Sequence, residues 1–118
     1  MGLDMYAYTA AKEQADWETE QREIAYWRKH PNLHGWMEVL YRKKGGDANT
    51  FNGVEVELTW KDLDELERVI LHRELPTTSG FFFGNPADDL YYEKDLEFIK
   101  AARAELFLGL KVFYNSSW

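Results

Sequence analysis

Cysteine is absent from the 118-residue chain. That excludes a disulfide framework, a cysteine-zinc site and thiol catalysis. No apolar run approaches the roughly 20 residues that a membrane-spanning helix needs. The first residues carry no basic flank leading into an apolar core, so no signal peptide is expected. Position 6 is Tyr6 rather than Ser or Thr, and the myristoylation pattern behind Gly2 fails. Asn115-Ser116-Ser117 has the form of a glycosylation sequon, read as chance in a chain without a secretion signal. Positive charge is scarce as well. Fourteen Lys and Arg stand against 21 Asp and Glu, a net charge of −7. Neither a broad nucleic-acid surface nor an anionic membrane is an expected partner for such a chain. The expected location is the cytoplasm.

Aromatic residues are plentiful, at 16%, with five Trp, seven Tyr and seven Phe. Hydrophobic residues at 45% and charged residues at 30% describe a globular chain, long enough for one domain with a real core. The residues divide it as follows. Leu3, Met5 and Ala7 alternate with Asp4, Tyr6 and Tyr8, which predicts a strand from the first residues. Trp17, Ile24 and Trp27 recur at helical spacing and predict a helix over 10–30, ended by Pro31. Asn32 is an expected N-cap for a second helix with Leu33, Trp36, Met37, Leu40 and Tyr41 on one stripe. Lys43-Lys44-Gly45-Gly46 closes it, with cations at the negative dipole end and glycine after. Val54, Val56, Leu58 and Trp60 alternate as a strand, and Thr59 with Asp62 forms a box-like cap for a helix striped by Leu63, Leu66 and Ile70. Asp88 or Asp89 is expected to cap the last helix, whose stripe is Tyr92, Leu96, Ile99, Ala102 and Leu106. Gly109 ends it, and Leu110, Val112 and Tyr114 alternate as a final strand. The prediction is a single α+β domain over 1–118, with about three strands covered by about four helices.

Between the last two helices lies an unusual stretch, 75–92, with two prolines, two glycines and five aromatics. Phe81, Phe82 and Phe83 stand between Gly80 and Gly84. Successive side chains of an extended segment point to opposite faces, so three rings cannot all enter one core. Burying each is worth roughly 1.5–3 kcal/mol, which favours a second surface for at least one of them. A short buried strand or loop plug is the plainer reading of the same run.

Several segments together resemble a family of small conserved hypothetical proteins of bacteriophages and bacteria. They are Gly2-Leu3-Asp4-Met5-Tyr6, Ile24-Ala25-Tyr26-Trp27-Arg28-Lys29, His34 with Trp36, Pro76-Thr77-Thr78-Ser79-Gly80-Phe81-Phe82-Phe83-Gly84, and Ser116-Ser117-Trp118. The segments spread over most of the chain. The resemblance implies a phage-type origin and carries no mechanism.

Candidate chemistry is sparse. Thr77, Thr78, Ser79 and Gly80 offer hydroxyls and backbone N–H groups that can cradle an anion, although the segment is not a Walker A loop. An ST-turn tying the loop to itself is the plainer role. Tyr26, Trp27, Arg28, Lys29, His30 and His34 form a second cluster, in which an aromatic beside Arg can stack on a base and meet its phosphate. The plainer reading puts Trp27 in the core, His34 half-buried and satisfied, and Arg28 in solvent. His30 and His34 are four apart, but Pro31 between them spoils metal-ligand spacing on one helix. Asp4, Asp88 and Asp89 are better explained by pairing and capping than by a metal. No catalytic residue, metal or cofactor is expected. The first expectation is a non-enzymatic accessory protein that binds a host or phage protein, with Phe82 or Phe83 as anchors. The second is a binder or processor of a small anionic ligand such as a nucleotide, held by Thr77, Thr78, Ser79 and Gly80 with Arg28, His34 and an aromatic lining the pocket. The third is a homodimer closed by the same loop.

Overall fold

Alternation of small or apolar residues with aromatic ones makes β1 (Asp4–Ala10), the strand on which the sheet is built. It runs between β2 (Arg22–Arg28) and β4 (Lys111–Ser117), and β3 (Val56–Leu58) adds to the far side of β4. Every pairing is antiparallel, in the order β2-β1-β4-β3. The structure, a computed structural model, describes residues 3–10, 22–75 and 90–117. The 76–84 loop, with Thr77, Thr78, Ser79, Gly80, Phe82 and Phe83, lies outside the described residues, as do Asp88 and Asp89.

Register sorts the side chains cleanly. Met5 lies opposite Trp27 and Ser116, and Ala7 opposite Ala25 and Tyr114. Met5, Ala7, Trp27, Val112 and Tyr114 are fully buried and form the inner face. Tyr6 lies opposite Tyr26 and Asn115, Tyr8 opposite Glu23 and Phe113, and Asp4 opposite Arg28 and Ser117, which makes the outer face. Period-two alternation fixes this assignment, because a slip of one residue would exchange the two faces.

Three described helices cover the inner face. α1 (Pro31–Lys43) buries Leu33, His34 and Met37. α2 (Trp60–Leu71) buries Leu63, Leu66 and Ile70, the stripe read from its sequence. α3 (Tyr92–Phe107) buries Asp95, Phe98, Ile99 and Ala102, with Tyr92, Leu96 and Leu106 half-buried beside them. The α2 start follows the expected chemistry in full. The Thr59 side chain accepts from the Asp62 N–H, and Asp62 accepts from the Thr59 N–H at 2.9 Å. Gly45 and Gly109 take positive φ just past α1 and α3, where an L side chain would be strained.

Four expectations are corrected. Residues 22–28 are a strand, not part of a helix over 10–30. Ile24, Tyr26 and Trp27 suit a pleated surface, and a bulge opposite Ala7/Tyr8 interrupts the period-two signal on this edge strand. The described residues therefore hold four strands and three helices, where about three and four were expected. Pro31 begins α1 as its first residue with His30 as N-cap, so Asn32 is not the cap. Strand β3 stops at Leu58, and Trp60 already belongs to α2. Tyr91 stands at the N-cap position of α3 without a side-chain cap bond, and the expected caps Asp88 and Asp89 lie outside the described residues.

Candidate functional site

The outer face of the sheet is an aromatic surface on which no described helix packs. Tyr6 and Tyr26 lie 5.3 Å apart between ring centroids, tilted by 47°. Tyr8 and Phe113 stack at 5.6 Å and 25°. Tyr8 is buried, Tyr6 and Phe113 are half-buried, and Tyr26 is 37% exposed at the β2 edge. The Tyr26 hydroxyl donates to Asp4 Oδ1 at 2.7 Å, and this bond raises the phenol above its ordinary value. The bond also fixes the ring's orientation on the face. Asp4, Glu23 and Glu57 share the face with Arg28 and Lys111, so its charge is mixed and not basic.

The β2 edge is partly closed. The Tyr91 hydroxyl donates to the Arg28 carbonyl at 2.7 Å and accepts from the Arg28 N–H at 3.4 Å. One phenol thereby occupies both backbone groups that an added strand would need at that position. Tyr91 also stacks on the His30 ring at 4.9 Å.

Beneath the sheet, the residues with chemical potential are bound to one another. Asp95 on α3 accepts from the Trp27 indole N–H at 2.8 Å through Oδ1. Its Oδ2 lies 2.7 Å from His30 Nε2. All three side chains are fully buried. Farther along, His34 Nδ1 and the Tyr114 hydroxyl share a hydrogen bond of 2.8 Å, with the Phe51 ring 5.0 Å from His34. Burial pushes His34 down to about 4 and Tyr114 well above the usual phenol value, so both stay neutral at pH 7.

The sequence-predicted cluster does not converge. Trp27 points into the core and ties β2 to α3. His34 is sealed between α1 and β4, whereas Arg28 is exposed and lies across from Asp4 on the opposite face. His34 and Arg28 therefore cannot line one pocket, and His34 is more deeply buried than the half-buried placement expected of it. His30 and His34 reach different partners, Asp95 and Tyr114, and no cluster of three metal-ligating side chains occurs among the described residues. Asp95 was missed, although its place three residues after Tyr92 on the buried α3 stripe is a readable signal. An acid on an apolar stripe needs a buried donor.

No described helix is long and apolar enough to cross a membrane. Comparison of the chain with protein-family models, with curated proteins and with solved structures returns no match.

Proposed function

We propose that this chain is a non-enzymatic accessory module of phage type that binds a host or phage protein through the outer face of its sheet. The observation that carries the reading is the row Tyr26, Tyr6 and Phe113, part-exposed beside the buried Tyr8 ring and left uncovered by the three described helices. Aromatic and arginine side chains concentrate binding energy at protein interfaces. Here Arg28 and Asn115 border the rings. Phosphate recognition would need a surplus of cations, and the face has three acids against two bases. A protein surface of mixed charge is the better complement. The buried His30–Asp95 and His34–Tyr114 pairs act as structural links between sheet and helices, because solvent does not reach them.

A Tyr6→Ser/Tyr26→Ser double variant tests this reading. These rings stand outside the buried cluster, so the fold and its thermal midpoint should change little. Affinity for a partner captured by the wild-type protein should fall by about 1,000-fold, given hot-spot losses of about 2 kcal/mol per ring and about 4 kcal/mol for the two. Undiminished capture by a folded double variant would rule the face out.

A further inference from the structure

Helices α1 and α2 make almost no direct contact, since α2 packs along α3 and both α1 and α2 lean on β3. Between them lies a groove of about 670 Å³, walled by Trp36, Val39 and Leu40 of α1 and by residues 61–68 of α2. That volume is typical of small-molecule sites, about 300–1,000 Å³. The Val39 side chain is half exposed, leaving an apolar wall open to solvent.

The charges of the groove are unevenly committed. Asp62 is bonded to Lys44 at 2.5 Å, Asp64 to Arg103 at 2.5 Å and Glu65 to Arg68 at 2.6 Å. Each acid is therefore already matched by a cation, and Lys44 and Arg68 are used in doing so. Burial alone would raise Asp62, but the bonds from Lys44 and Thr59 outweigh it and hold the carboxylate ionised. Lys43 on α1 and Lys61 on α2 remain. Lys43 acts on Glu65 through space. Neither lysine forms an ion pair with a described residue, so two ammonium groups border an apolar wall on a chain of net charge −7.

We infer that the α1–α2 groove binds a small amphiphilic anion, its carboxylate or phosphate headgroup held by Lys43 and Lys61 and its apolar body laid on Trp36, Val39 and Leu40. Charge complementarity selects the headgroup, and the open apolar wall selects the body. This site is separate from the outer sheet face, since both helices pack on the inner side.

The test is a titration of the ¹⁵N-labelled full chain with decanoate, decyl phosphate, decanol and an acidic amphipathic helical peptide. Decanoate or decyl phosphate should shift the amides of 36–44 and 61–68 saturably, with a dissociation constant below about 1 mM. The tighter of the two identifies the headgroup. Decanol should bind at least about tenfold more weakly, the equivalent of one lost charge contact near 1.4 kcal/mol. Lys43→Gln/Lys61→Gln, which breaks no ion pair among the described residues, should change its thermal midpoint little and lose anion binding by about tenfold or more. Val39→Asp should weaken anion and decanol alike. The inference is overturned by absent or unsaturable shifts, by shifts outside the groove, by equal binding of decanol, or by a lysine variant that binds as tightly as wild type. It is overturned equally if only the peptide binds, which would make the groove a protein interface.

Discussion

An Asp95→Ala variant should lose about 3–5 kcal/mol of stability, the cost of removing one partner from a buried charged network. The carboxylate holds two buried donors from different elements, the Trp27 indole of β2 and the His30 ring at the α1 start. Alanine leaves both without that acceptor in a space that solvent does not reach, and it opens a cavity as well. For a chain of this size the thermal midpoint should fall by roughly 10–25 °C. Asp95→Asn keeps the shape and one acceptor for the indole, and the His30 ring can meet the amide in its other tautomer, so the loss should be only about 1–2 kcal/mol. Urea unfolding followed by tryptophan fluorescence measures both. Equal, small losses for the two variants would mean that the network does not hold α3 to the sheet.

Stability should also fall on acidification through His34, by roughly 2–3 kcal/mol between pH 7.5 and 4.5. Burial lowers this imidazole from 6.5 to about 4 in the folded chain. As pH falls below 6.5, the unfolded chain takes up the proton first, so unfolding is favoured. The contribution is fully present above pH 6.5 and is lost progressively as pH falls toward 4. Tyr114 keeps its proton throughout this window, since burial raises it. His34→Gln retains a hydrogen-bonding partner for the Tyr114 hydroxyl and cannot titrate. Carboxylates contribute to acid unfolding in both proteins, so the informative quantity is wild type minus variant. That difference should change by about 2–3 kcal/mol across the window, and a flat difference would place the His34 ring in contact with water.

How much of this was legible depended on whether the local signal agreed with the tertiary one. Strands β1 and β4 alternate cleanly because each is buried on one face, and the Thr59–Asp62 cap is a purely local device. The β2 strand was read as helix because Ile24 and Trp27 sit at helical spacing while the true alternation is broken by a bulge. Trp27 was read either as core or as part of a site, and only the fold shows it committed to Asp95. The opposite placement of Arg28 and His34 follows from strand pairing between residues far apart in sequence, which no local pattern encodes. The same holds for the α1–α2 groove, which exists because two helices adjacent in sequence lean on one short strand without packing together.

Site-specific photocrosslinking tests the role of the outer sheet face most directly. Benzoylphenylalanine at Tyr26 samples that face, and the same probe at Leu71 of α2, which is more open to solvent, is the control. In living bacterial cells the probe at Tyr26 should give a discrete adduct with one protein, and the probe at Leu71 should not. An adduct from Leu71 with none from Tyr26 would contradict the assignment of the aromatic sheet face as the binding surface.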